Sequence, residues 1–288
     1  MTYTITPEKI HLFLQLLREE ERSAGTIENY QRHIKAFAVW ADGEAVTKEL
    51  AAKWKAHLLA RGYAPGTVNT ILVPLNRFFS FLGWHGCRVK SLRIQRRMFR
   101  ENRRELTRSE YARLLSAARS QGRERLALLM ESICATGIRV SEVEHLTVEA
   151  VRAGRAEISL KGKIRTILIP SRLRKKLLQF AHKEKTASGA IFRTKSGRPI
   201  SRKQIWAEMK SLCRSAGVMA TKVFPHNLRH LFARAFYQVS HDIAKLADVL
   251  GHSSIETTRI YLMTSGEEQV RQLDRLGLVS KVRINIPT

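Results

Sequence analysis

Residues 87–104 read "CRVKSLRIQRRMFRENRR", with eight basic side chains and one acidic. Lys and Arg are almost never fully buried without partners, so the domain boundary is expected within this stretch. The expected boundaries are a first domain at 1–95, a basic linker at 96–104 and a second domain at 105–288. The full 288 residues, 44% of them hydrophobic, suffice for two cores and exclude wholesale disorder. A charge run is most often a solvated linker, but flanked by basic domains it would also lie close to a phosphate backbone.

The whole chain shares the excess. It carries 51 Lys and Arg against 25 Asp and Glu, a net charge of +26. Residues 1–100 hold 16 basic and 8 acidic side chains, and the remainder holds 35 and 17. Self-repulsion of this size is destabilising unless a polyanion is the partner, and its spread over both domains calls for one long ligand. No apolar run approaches the length of a bilayer span, so nucleic acid is favoured and no membrane partner is expected. Cys87, Cys134 and Cys213 are far apart, odd in number and without metal-ligand spacing, which argues against a disulfide scaffold and a zinc site. The opening "MTYTITPEKIHLF" has no basic segment followed by an apolar one, so a cytoplasmic location is expected.

Four helices are expected in the first domain. Thr6 and Pro7 open the first, with Ile10, Phe13, Leu14 and Leu17 at helical spacing and Gly25 as its stop. Tyr30, Ile34, Phe37 and Ala41 mark the second. Thr47 caps a third containing Leu50, Trp54 and Leu58, closed by Gly62. A fourth begins near Thr67 with Ile71, Leu75, Phe78, Phe79 and Leu82, and is expected to kink at Pro74.

The second domain is mixed. Helices are expected at about 107–119 and 123–135, then a turn at Thr136-Gly137 and a helix from Ser141. Strands are expected at 156–160 and 164–169 around "LKGK", and a third at Ala190–Arg193. The rest is helical.

Several polar residues carry possible chemistry. In "FPHNLRHLFARAFY", Leu228, Leu231, Phe232, Ala235 and Phe236 form a core-facing stripe, which leaves His226, Arg229 and His230 together on the opposite, surface side. In "TGIRVSEVEHL", Ser141 and Glu144 read as a capping box that places Arg139 just before a helix N-terminus, an anion-favouring position, with Glu142 able to hold its guanidinium. Lys161 and Lys163 flank Gly162 at a hairpin tip. Gly251 ends a helix made by Ile243, Leu246, Ala247 and Leu250, and Ser253 with Glu256 suggests a cap for the next. His252 then sits in the joint, with Tyr261 about 10 Å further along the second helix, so the two would flank a phosphate without touching. Each residue alone has an ordinary structural reading: a surface ion pair, a polar turn, a buried tyrosine.

Taken in order they are Arg, Lys, His-x-x-Arg, His, Tyr. On "ATGIRVSEVEHLT", "HNLRHLFA" and "LGHSSIETTRIYL" the sequence resembles the tyrosine recombinase (phage-integrase-like) family, its Xer-type members in particular. "SAGTIENYQRHIKAFAVW" is similar to that family's core-binding bundle, with Ser23, Thr26, Tyr30, Phe37 and Trp40 in register. The resemblance implies a mainly α fold with a small β-sheet: an N-terminal helical core-binding (SAM-like) bundle and a C-terminal mixed α/β catalytic domain.

It further implies site-specific DNA strand exchange through a 3′-phosphotyrosyl intermediate, without cofactor or metal. Tyr261 matches the nucleophile, and Arg139 and Arg229 the clamp on the nonbridging oxygens. His226 and His252 match the acid–base and phosphate-contacting histidines, with Glu142 and His230 in support. Lys161 matches the lysine that protonates the leaving 5′-oxygen. The hairpin is shorter than is usual in the family, however, so Lys163 competes for that role. The implied partners are double-stranded DNA sites and a homotetramer, or a heterotetramer with a second recombinase. The biological role is left open between integrating or excising a mobile element and resolving multimers. Rival readings are a type IB topoisomerase-like enzyme and a DNA-binding regulator on an inactive scaffold. At the C-terminus Val270, Leu273 and Leu276 form an apolar stripe ended by Gly277, and Val282, Ile284 and Ile286 alternate as an edge strand would. The resemblance implies that this tail docks onto a neighbouring recombinase.

Overall fold

The computed structural model describes residues 3–94, 105–160, 163–194, 196–263 and 266–278. It divides into two compact units, Met1–Arg96 and Arg97–Thr288.

The first unit is a bundle of α1 (Pro7–Glu19), α2 (Ala24–Ala41), α3 (Lys48–Ala60) and α4 (Pro65–Phe81). The side chains of Thr6 and Thr47 cap α1 and α3 by accepting from the N–H groups of Lys9 and Leu50. Periodic apolar residues from every helix meet in one core. Phe37 packs on Trp54 and on Phe79, each with ring centroids 5.9 Å apart, and Phe13 packs edge-on against Phe78 at 5.3 Å. Gly25 does not stop α1. The helix ends at Glu19, Glu21 adopts a left-handed conformation, and Gly25 lies in the first turn of α2. The backbone bond from Arg22 N to Leu17 O closes the helix without any glycine. Pro74 lies inside α4, and the helix continues past it.

Two asparagines two turns apart on α4 hold the outgoing chain. Asn76 accepts from Val89 N (3.0 Å) and donates to Val89 O (2.8 Å); Asn69 does the same for Leu92, at 2.7 and 2.9 Å. Each side-chain amide mimics a strand partner, so the start of the basic run belongs to the bundle.

The second unit comprises α5 (Arg108–Ser120), α6 (Glu124–Thr136), a 3₁₀ turn (Val140–His145), α7 (Val148–Ala153), β1 (Arg155–Leu160), β2 (Lys163–Leu168), α8 (Ser171–Lys183), α9 (Arg202–Ser211), α10 (Cys213–Ala216), a 3₁₀ turn (Ala220–Lys222), α11 (Pro225–Ser240), α12 (Ile243–Leu250), α13 (Ile255–Leu262) and α14 (Gly266–Asp274). Helix α6 is central. Leu126, Leu129, Met130 and Ile133 are buried on it, and it packs against α5, α8, α9 and α11. The strands β1 and β2 form an antiparallel hairpin in which Leu160 pairs with Lys163 and Ile158 with Arg165. The expected strand at Ala190–Arg193 is not one. Its ends make isolated bridges, Thr147 with Ala190 and Arg193 with Pro199, because the segment serves as a strap across α7 and not as a sheet edge. Val270, Leu273 and Leu276 are each more than half exposed, so the apolar stripe of the α14 segment is uncovered, while 282–286 lies outside the described residues. Among the described residues, no helix is long and apolar enough to cross a membrane.

Candidate active site

The C-terminus of α6 sets the first arginine. Gly137 ends the helix at φ +64°, where a Cβ would press on the Phe232 ring at about 2.5 Å. The chain then turns through Ile138 and Arg139 into the 3₁₀ turn. The expected cap by Ser141 and Glu144 is replaced by one two residues earlier, at Arg139 and Glu142. Glu142 accepts from Arg139 N (2.9 Å) and from Arg139 Nη1 (2.8 Å), so one buried carboxylate both closes the turn and holds the guanidinium. The far nitrogen, Nη2, donates to Gly251 O at 3.2 Å, and the Arg139 side chain remains 39% exposed.

Helix α11 supplies the second arginine, and here the surface expectation fails. Arg229 is 2% exposed and His230 5%; of the trio only His226 is exposed. The reason is that α11 is covered on more than one side, by α6, α9, α12 and α13. Arg229 Nη1 donates to Gly137 O, and Nη2 to Leu250 O (2.6 Å) and to His252 Nε2 (3.1 Å). Its planar fork thus joins the ends of α6 and α12, which a single ammonium could not do. Burial, with Arg139 close by, lowers its pKa from the ordinary arginine value.

The joint between α12 and α13 is tighter than expected. Gly251 ends α12 at φ +62°, Ser254 and not Ser253 caps α13 by accepting from Glu256 N, and the chain folds back sharply. His252 and Tyr261 are therefore neighbours, with ring centroids 5.4 Å apart, instead of separated along a helix. Tyr261 is 5% exposed and also lies against His226 (5.5 Å) and His230 (4.2 Å). Burial, then the positive charges of Arg229, Arg139 and Arg165, push the His252 pKa down to about 4. The ring is neutral at pH 7. Because Arg229 is donor only, Nε2 accepts and Nδ1 carries the hydrogen, donated to Thr258 Oγ1 at 2.8 Å.

Of these groups, Arg139, His226, Arg229 and Tyr261 line a cleft of about 720 Å³, together with Arg202, Lys203 and Trp206. The guanidiniums of Arg139 and Arg229, three imidazoles and the Tyr261 phenol converge, with the Glu142 carboxylate holding Arg139. Such a set of groups is chemically able to bind an anion and to present it with a nucleophile. Among the described residues, no group of three or more His, Cys, Asp or Glu is arranged to hold a metal. Of the sequence-predicted residues, Arg139, Glu142, His226, Arg229, His230, His252 and Tyr261 come together. Lys161 lies outside the described residues; Lys163 is the first residue of β2.

Sequence reasoning missed Arg165 and Thr258. Thr258 is wholly buried and fixes the His252 ring. Arg165 donates to Glu142 although it stands in a strand whose apolar neighbours Ile164 and Leu168 face outward, 77% and 72% exposed. A signal existed in β1: Ala156 and Ile158 set the inward face, and their cross-strand partners are Ile167 and Arg165.

Residues 104–268 match the phage integrase family, and residues 10–86 match its N-terminal SAM-like domain. The tyrosine recombinase XerA of Pyrococcus furiosus is 28% identical over 289 residues, covering 97% of each chain. The tyrosine recombinase XerD of Brucella melitensis is 30% identical over 283 residues, covering 88% of this chain and 91% of the other. In fold, a lambda integrase dimer bound to a core site aligns with a TM-score of 0.74 at 18% identity, covering 98% of this chain and all of that one. The crystal structure of XerA recombinase aligns at 0.52 and 20% identity, covering 96% and 100%. The chain therefore belongs to the phage integrase family, as an Xer-type tyrosine recombinase, a site-specific recombinase that breaks and rejoins DNA.

Proposed function

We propose that Tyr261 attacks a phosphodiester held by Arg139 and Arg229, leaving DNA joined to the protein as a 3′-phosphotyrosine and releasing a 5′-hydroxyl. The observation that carries this reading is the packing of the Tyr261 ring among three histidines next to Arg229, at the edge of the cleft that Arg139 lines. A phenol is a weak nucleophile until a base takes its proton, and His226, the exposed imidazole 5.5 Å from the ring, is placed to do so. The two guanidiniums offset the charge that grows on the nonbridging oxygens. An arriving phosphodiester also opposes the positive field on His252. That raises the proton affinity of the ring and lets Nε2–H donate to a nonbridging oxygen. One hairpin lysine, Lys161 or Lys163, protonates the leaving 5′-oxygen. Glu142 holds Arg139 in place, and His230 supports the tyrosine ring. Rejoining reverses the step: a 5′-hydroxyl attacks the phosphotyrosine, and the bond energy is conserved.

The substrate is double-stranded DNA carrying a recombination site. The bundle at 1–95 grips the core site, 96–104 links the domains and 105–288 performs the chemistry. The working assembly is a tetramer on two sites, of this chain alone or with a second recombinase. The uncovered stripe of Val270, Leu273 and Leu276 supports docking of the tail on a neighbour. In the test, Tyr261→Phe is incubated with site DNA and resolved in SDS. It should bind DNA like the parent and give no covalent band; a band of normal intensity would reassign the nucleophile.

A further inference from the structure

Arg165 is a charged side chain of the site to which the reaction above gives no task. It sits on β2, two residues after Lys163, with its side chain 11% exposed. Its Nη1 approaches both oxygens of Glu142, at 3.4 and 3.2 Å, and its Nη2 donates to Val249 O at 3.0 Å in the last turn of α12. Its stem crosses Gly251 so closely that a Cβ there would overlap Cδ and come within 2.7 Å of Nε. Nε itself is buried and has no acceptor among the described residues.

Stability alone does not account for such a residue. Burial pulls its pKa down to about 10, and the like charges of Arg229 and Arg139 oppose it further, with Glu142 as the compensating charge. An enclosed cation with one donor unmade is weak evidence for a stabilising role. What Arg165 does is connect three segments that each bear part of the site. These are the β1–β2 hairpin, whose sequence carries Lys161 and Lys163, the Arg139–Glu142 turn, and Val249 in the last turn of α12, two residues before the glycine that leads to His252. Among the described residues, it makes the only hydrogen bond between the hairpin and α12.

We infer that Arg165 is a positioning residue that locks the lysine-bearing hairpin onto Glu142 and the end of α12, so that leaving-group protonation is available only while the α12–α13 segment is docked. This rests on the reading above in which a hairpin lysine protonates the 5′-oxygen. The lock is a two-ended one: release of α12 frees Val249 O, and the Arg165 side chain then keeps only its Glu142 contact. Nucleophile and general acid, which stand on different elements, are thereby made ready together.

The test compares two DNA substrates with Arg165→Gln and Arg165→Lys. One substrate is normal, and the other carries sulfur at the 5′-bridging position of the scissile phosphate, whose thiolate leaves without a proton. Single-site binding by each variant should stay near that of the parent. Covalent-complex formation on normal DNA should fall by about 10²-fold for Arg165→Gln, the scale of a misplaced catalytic group. On the sulfur substrate the rate should return to within a few-fold of the parent. A variant that is merely misfolded loses both substrates equally, because comparison within one preparation cancels the active fraction. Equal loss on both substrates, or no loss on normal DNA, overturns the proposal. Lys161→Ala and Lys163→Ala are run beside it. Rescue of a lysine variant without rescue of Arg165→Gln overturns the positioning role alone. Rescue of neither lysine variant overturns the general-acid reading, and the positioning role with it.

Discussion

The core of the bundle and the core beneath Tyr261 are built on opposite terms. Phe13, Phe37, Phe78 and Phe79 are fully buried among other apolar rings and ask nothing of their neighbours except shape. Around Tyr261, the buried Ala233, Leu246 and Leu250 share the interior with Arg229, His230 and Thr258. There, each polar group needs a partner. Arg229 finds three, two of them helix-terminal carbonyls that would otherwise lack one. The first core is held by transfer of apolar surface from water, about 1.5–3 kcal/mol per large side chain. The second holds charge in place for a ligand, and its contribution to stability is incidental.

The largest expected effect in this contrast lies in the apolar core. Phe37→Ala removes a ring that touches Trp40, Trp54 and Phe79, and should destabilise the bundle by about 3–5 kcal/mol. Hydrogen exchange should show the loss in peptides from 7–81 and leave those from 225–262 protected. Equal loss in both would mean that the two cores unfold as one.

Arg229→Lys sharpens the other half. A lysine keeps the charge but cannot reach Gly137 O, Leu250 O and His252 at once. The barrier to covalent-complex formation should rise by about 2.7–4 kcal/mol, the value of a lost oxyanion donor. Thermal stability should fall less, by about 1–3 kcal/mol for one orphaned carbonyl. If stability fell more than activity, Arg229 would be a structural residue first.

Gly137→Ala is expected to be milder. The left-handed backbone and the Phe232 ring against any Cβ together should cost about 1–3 kcal/mol in a denaturant titration. Arg139 leaves the same turn, so covalent-complex formation should drop alongside. A stable but inactive variant would show that the turn aims Arg139 with little slack.

The same contrast explains what could be read in advance. The bundle's helices were legible because Ile10, Phe13, Leu14 and Leu17, and their counterparts, repeat with the period of the helix that buries them. The site residues were legible as an ordered set of boxes, but not as a geometry. On α11, the helical stripe of Leu228, Leu231, Phe232, Ala235 and Phe236 puts Arg229 and His230 outside, because a local pattern reports one buried face and is blind to α9, α12 and α13 arriving on the other. Arg165 was hidden for a related reason. In a two-stranded hairpin, two exposed isoleucine- and leucine-type positions, Ile164 and Leu168, reverse the usual inside and outside. The His252–Tyr261 contact depends on how sharply the chain turns at Gly251, which sequence spacing along a helix does not encode.

The smallest expected effect is a dependence on pH, and it isolates one imidazole in the polar core. His252 has its pKa pushed down to about 4 from an ordinary 6.5, by burial and then by Arg229, Arg139 and Arg165. In the unfolded chain the ring takes up a proton as pH falls through 6.5; in the folded protein it stays neutral until about 4. Between these values the unfolded state binds more protons, so stability falls as pH drops from 6.5 to 4 and is fully present above 6.5. His33 in the bundle is also lowered by burial, and then by Arg32, so the parent carries contributions from both cores. His252→Asn removes the titration at the site alone. Its melting temperature should therefore decline less steeply than the parent's over that window, while His33→Asn should flatten only the bundle's share. In the proposed reading, bound site DNA would place a phosphodiester beside His252 and offset the three guanidiniums. In the complex, then, the difference between parent and His252→Asn should shrink. A parent whose stability without DNA is flat from pH 6.5 to 4 would mean that the folded ring takes up its proton as readily as the unfolded one, and that its Nε2 does not accept from Arg229.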